Sequence, residues 1–89
     1  MGNNIFYIES MGDYVKIFLS SQPKPVITLN RLKTLADQLG PMGFRRIHRS
    51  YLVNLAKVQA KQRAKVQVGG EWLPVGETHL GVLDELPEH

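Results

Sequence analysis

The chain contains no cysteine. Disulfides and thiolate metal sites are therefore excluded, and with them the usual staples of small secreted domains. No apolar run approaches the roughly 20 residues that a bilayer-spanning helix needs. The opening Met1-Gly2-Asn3-Asn4 has no basic stretch leading into an apolar one, so it does not read as a signal peptide. Met-Gly can begin a myristoylation site, but Phe6 stands where that motif requires Ser or Thr. A cytoplasmic location without membrane contact is expected. Acidic residues are absent from Arg45 to Lys65, and basic ones from Glu71 to the end, histidine aside.

What remains is an ordinary globular composition, 43 % hydrophobic over 89 residues, enough for one domain with a compact core. Net charge is +3. Its distribution carries more information than its sum. The acid-free segment holds Arg45, Arg46, Arg49, Lys57, Lys61, Arg63 and Lys65, which suggests a face turned toward a polyanion. A merely solvated basic face would have the same composition.

Periodicity predicts a mostly β chain. Ile5 to Ile8 is an apolar, aromatic-rich strand, and Met11-Gly12-Asp13 is a turn. Tyr14 to Leu19 alternates, with Val15, Ile17 and Leu19 on one face and Tyr14, Lys16 and Phe18 on the other. After a polar, proline-rich connection comes the short β-branched run Val26 to Leu29. Leu29, Leu32, Leu35 and Leu39 then recur at helical spacing, with Thr28 or Asn30 available as a cap and Gly40-Pro41 as the stop. Phe44 to His48 and Tyr51 to Val53 read as strands. A turn is expected at Gln62-Arg63, and Gly69-Gly70 marks a hairpin between Lys65–Val68 and Trp72–Val75. Leu80, Leu83 and Leu86 suggest a short C-terminal helix.

Catalytic chemistry finds little support. His48, His79 and His89 have no partner at metal-ligand spacing, so neither a metal nor another cofactor is expected. His48 and Ser50 lack an acid that would orient the imidazole. Asp84-Glu85 are adjacent rather than opposed, and Gly69-Gly70 lacks any phosphate-loop pattern around it. No enzyme and no small-molecule substrate are expected.

The chemistry is concentrated in Phe44-Arg45-Arg46-Ile47-His48-Arg49-Ser50-Tyr51-Leu52-Val53-Asn54. Phe44, Ile47, Leu52 and Val53 can anchor the segment while polar residues stand between them. An arginine fork can grip two phosphate oxygens, or the O6 and N7 of guanine. Ser50 can donate to phosphate, and Asn54 can donate to phosphate or read adenine. His48 and Asn54 have a second reading as buried, hydrogen-bonded residues that hold the turn, and for these two it is the stronger. Arg45, Arg46 and Arg49 are expected at DNA, with Lys61 and Arg63 adding charge.

This run resembles the signature of the LytTR (LytR/AlgR type) DNA-binding domains of bacterial response regulators. Two more pieces are similar: Ile5 to Val15, with its Gly12-Asp13-Tyr14-Val15 turn, and Trp72-Leu73-Pro74-Val75-Gly76. The resemblance covers about residues 5–86 of a single domain spanning 1–89. It implies an elongated stack of small antiparallel sheets with one short central helix, its loops entering successive major grooves of double-stranded DNA. It also implies contact through Asp13, Tyr14 and Lys16, through Arg46, Arg49 and Ser50, and through Gly76, Glu77 and Thr78. Where many members carry arginine, this chain has Glu77, which phosphate would repel but cytosine N4 could bond. The resemblance further implies paired copies on direct repeats and a receiver or sensory domain ahead of this one, from which the chain would be excised. A protein-interaction module keeping the fold without DNA affinity is the alternative, favoured by Glu77 and the acidic tail. An RNA-binding β-domain would want exposed aromatics for stacking.

Overall fold

The computed structural model describes residues 4–86. The Met1-Gly2 motif and His89 lie outside the described residues. Eight strands form two antiparallel sheets. The first contains β1 (Ile5–Met11), β2 (Tyr14–Leu19), β3 (Val26–Leu29), β4 (Phe44–His48) and β5 (Tyr51–Asn54), in the order β3-β2-β1-β5-β4. The second contains β6 (Val58–Gln62), β7 (Lys65–Val68) and β8 (Glu71–Pro74) in sequence order. One helix, α1 (Leu32–Leu39), two short 3-10 turns (Gly40–Met42 and Leu55–Lys57) and a longer 3-10 segment over Glu77–Glu85 complete it. The expected mostly β architecture, with small antiparallel sheets and one short helix, is what the chain adopts, over extents of 33 × 27 × 22 Å.

The larger sheet is a partition between two cores. On one face Ile8, Val15, Phe44 and Leu52 pack under Leu32 and Leu35 of α1. On the other, Tyr7, Ile47 and Val53 meet Val66, Val68, Leu73 and Val75 of the second sheet, with Val82 and Leu86 of the C-terminal segment. β1 and β5 lie at the centre and are covered on both sides. That is why Phe6-Tyr7-Ile8 and Tyr51-Leu52-Val53 are continuous apolar runs rather than alternating ones. A bulge between Arg46 and His48 breaks the alternation of β4. Phe44 faces the helix side and Ile47 the other, as alternation gives, both essentially fully buried, and the bulge brings His48 opposite Tyr51 on the face of Ile47.

Three expectations are corrected. Leu29 belongs to β3, held extended by its pairing with Tyr14, and is 69 % exposed. The helix therefore starts at Leu32 behind an extended Arg31, without a side-chain cap, and Asn30 Oδ1 instead accepts from Arg31 N–H at 2.8 Å. The C-terminal segment is 3-10 rather than α-helical. A spacing of three between Leu80, Leu83 and Leu86 is the period of that tighter helix, and the side chains it buries are Val82 and Leu86, while Leu80 is exposed. The β6–β7 turn falls on Arg63-Ala64, one residue later than expected, with Ala64 in the left-handed region at φ +57°. The Gly69-Gly70 hairpin is as expected. Both residues have positive φ, and a Cβ on Gly69 would lie 2.8 Å from Phe6 Cδ2.

Tyr7 stacks on Phe18 at a centroid distance of 4.4 Å. Burial, reinforced by the carboxylates of Glu71 and Glu9, pushes its phenol up to about 12. The unfolded phenol ionises near 10, so the folded state favours the neutral form. This contribution is complete below about pH 10 and fades as the pH rises toward 12. Chemical denaturation between pH 9 and 12 should show wild type losing stability more steeply than Tyr7→Phe. Parallel curves would remove Tyr7 as the cause.

Candidate nucleic-acid interface

Hydrogen bonding brings separate turns to one end of the molecule. The β1–β2 turn closes on Met11 opposite Tyr14, with Gly12 at φ +61°. Tyr14 is in turn opposite Leu29, so the end of β3 and the Asn30-Arg31 junction lie alongside. Ser10 N–H donates to Ser50 O at 2.9 Å, which sets the Arg49-Ser50 turn beside them. Gly76 N–H donates to Ile47 O at 2.7 Å, and Val75 N–H to Ala64 O at 2.9 Å. The Gly76–Thr78 segment and the Arg63-Ala64 turn thereby join the same end. Both sheets thus contribute turns to this end.

The β4–β5 turn is built from the inside. His48 Nδ1 accepts from Ser50 N–H at 3.1 Å, which leaves the proton of the neutral ring on Nε2. The ring lies 5.7 Å from that of Tyr51 and packs on Gly76, where a Cβ would approach His48 Cδ2 at 3.7 Å. Arg46 Nη2 donates to Arg49 O at 2.6 Å, while its Nε is buried without a partner. Arg46 and His48 therefore fix the backbone of the turn. Arg49 projects from its tip, exposed, and its side chain bonds to nothing among the described residues.

The expected contact residues divide. Tyr14, Arg46, His48, Arg49, Ser50, Arg63 and Glu77 gather at this end, together with Asp13, Gly76 and Thr78. Lys16 lies one rung behind, opposite Glu9 and Ile27. Three others are bound elsewhere. Arg45 spans Glu85 at 3.1 Å and the carbonyls of Gly40 and Phe44 at 2.8 Å, tying β4 to the ends of α1 and the C-terminal segment. Lys61 Nζ donates to Leu83 O at 3.0 Å. Asn54 is only 4 % exposed, donates to Ile5 O and accepts from Ala56 N–H, which places it in the interior, the stronger of its two readings, rather than on an outward-facing surface.

Arg31, exposed between β3 and α1, was not singled out in the sequence. Nothing in its local pattern marks it, because its place depends on β3 pairing with β2. The acids at this end are Asp13 and Glu77, both exposed. A hollow of about 450 Å³ lies at the opposite end between Phe6, Phe18, the Ser20–Pro25 loop and Glu71. Among the described residues no three His, Asp or Glu side chains are close enough to hold a metal ion, and no helix is long and apolar enough to cross a membrane.

The sequence matches the family model for the LytTr DNA-binding domain over residues 2–86. Among solved structures, a LytTr DNA-binding domain from a protein of Bacillus cereus assigned as a methyl-accepting/DNA response regulator shares the fold. The TM-score is 0.76 and the identity 18 %, over 92 % of this chain and 79 % of that one. No curated protein matches.

Proposed function

The chain belongs to the LytTr DNA-binding domain family, and from that premise we propose that it is the sequence-specific output domain of a bacterial transcriptional response regulator. In this reading it acts in the cytoplasm, with a receiver or sensory domain preceding it. Its turns enter successive major grooves, and paired copies occupy direct repeats as a dimer on DNA. One observation carries the proposal: the Gly12-Asp13, Arg49-Ser50 and Gly76–Thr78 turns come from distant parts of the chain yet meet at one end, with the Arg49 fork free at its centre. Arg49 suits a guanine, Ser50 and Arg63 suit phosphates, and Arg46 and His48 hold the turn that aims Arg49.

Selection of duplexes from a randomised pool, followed by a salt series on the best site, tests this. A short enriched motif is expected, with log affinity falling against log salt by about 0.9 per phosphate contact. Motif-free, salt-insensitive binding would favour a protein-interaction module, the reading that the exposed carboxylates of Asp13 and Glu77 support.

Glu77 separates the readings further. If the Gly76–Thr78 segment faces the duplex, Glu77→Arg replaces a repelled carboxylate with a phosphate-binding cation. Affinity for mixed-sequence duplex should then rise by roughly three- to tenfold at low salt, and the salt slope should steepen by about one unit. An unchanged slope would place Glu77 away from the backbone.

A further inference from the structure

The outermost rung of the large sheet is apolar where a phosphate-binding surface would be charged. Met11 is opposite Tyr14, and Tyr14 is opposite Leu29. Residues directly opposite in antiparallel pairing share a face, with Cβ atoms about 5 Å apart. The three side chains therefore form a continuous row across β1, β2 and β3. They are 41 %, 49 % and 69 % exposed, and Ile27, on the same face one rung behind, is 57 % exposed. The second sheet covers the neighbouring part of this face through Tyr7 and Val53, but not this part.

A contiguous apolar patch on so small a domain marks a contact surface. Its surroundings indicate with what. Arg31 stands exposed just past the end of β3, Arg49 beside the end of β1, and Lys16 behind the row opposite Glu9, while Asp13 stands exposed in the β1–β2 turn. Next to it a shallow hollow of about 380 Å³ is lined by Asp13, Leu29, Asn30 and Arg31. Arg31, Arg49 and Lys16 around an uncharged row outnumber the carboxylates of Asp13 and Glu9 and match a duplex, whose phosphates lie at the rim of the groove and whose base edges form its floor. The apolar group on that floor is the C5-methyl of thymine.

We propose that Met11, Tyr14 and Leu29 form an apolar reading edge that recognises thymine methyl groups in the major groove, with Leu29 as its specificity-determining residue. The inference rests on the chain being a DNA reader. It assigns the β1–β2–β3 end a readout that needs no positive charge at Asp13 or Tyr14. Leu29, the most exposed of the three, reaches the methyl, and Tyr14 and Met11 exclude water around it.

The test uses the duplex obtained by selection. Each thymine is replaced in turn by uracil, which removes the methyl and keeps every hydrogen-bonding group. At one or two positions the substitution should lower wild-type affinity about fourfold, the loss of one buried methyl-sized group. In Leu29→Ala the same substitutions should have less than a twofold effect, while Arg49→Ala should leave the uracil response intact. Leu29 is largely exposed, so the variant keeps its fold, and its melting curve verifies that. If no motif is enriched, the DNA-reading function itself fails. If a motif is enriched but no thymine responds to methyl removal, this inference falls while the function stands. An undiminished uracil response in Leu29→Ala also overturns it, and a concurrent loss of self-association would reassign the row to a protein contact.

Discussion

Asn54→Ala should lower the free energy of unfolding by about 2–4 kcal/mol and leave the DNA affinity of the folded domain unchanged. Asn54 closes β5 opposite Phe44 and is 4 % exposed. Its Nδ2 donates to Ile5 O at 3.0 Å, linking β5 to the start of β1, and its Oδ1 accepts from Ala56 N–H at 3.1 Å, capping the 3-10 turn Leu55–Lys57. Alanine removes both partners and leaves a small void. A buried peptide group that loses its partner costs about 1–3 kcal/mol. Asn54→Asp should restore only part of the loss, because a carboxylate keeps the acceptor for Ala56 but opposes the Ile5 carbonyl. Chemical denaturation measures the stability, and titration of duplex with the folded protein measures the affinity. Lost affinity at unchanged stability would return Asn54 to the interface.

The same residue illustrates what was legible in the sequence. Phe44 to Asn54 carries its chemistry and its anchors in one stretch, so the segment could be recognised as the heart of a site. Which polar residues face outward could not be read by alternation, since the bulge at Ile47 shifts the phase of β4. Strands β1, β2 and β5 and the double-glycine hairpin follow from local pattern, because their burial and turn chemistry are encoded within a few residues. The roles of Arg45 and Lys61 are not, because they are set by Glu85 and Leu83, which are far away in sequence. Leu29 fits a helical period and is nevertheless a strand residue, because pairing with Tyr14 outweighs a weak local preference. Arg31 reaches the candidate interface for the same reason. Distant hydrogen bonds, not composition, decide which cations are available to a ligand.

Arg49→Ala should therefore weaken binding to the selected duplex by about 10- to 100-fold, or roughly 1–3 kcal/mol, while changing stability by less than about 0.5 kcal/mol. Its side chain is exposed at the tip of a turn whose backbone is held by Arg46 and His48, so truncation removes a ligand contact and no internal one. Arg45→Ala should do the opposite. It loses the bonds to the Gly40 and Phe44 carbonyls, worth about 1–2 kcal/mol together, and a half-exposed ion pair with Glu85 that adds little. Its effect on DNA should stay within about twofold, well below the loss at Arg49. Arg49→Lys then separates the two forms of contact. Lysine keeps the charge but not the planar fork, so a phosphate contact would be largely retained and a two-bond contact with guanine would not. Specific affinity falling almost as far as in Arg49→Ala, with mixed-sequence affinity preserved, would identify a base reader. Equal retention on both duplexes would make Arg49 a phosphate clamp and move the burden of sequence discrimination to Glu77 and the β1–β2–β3 end.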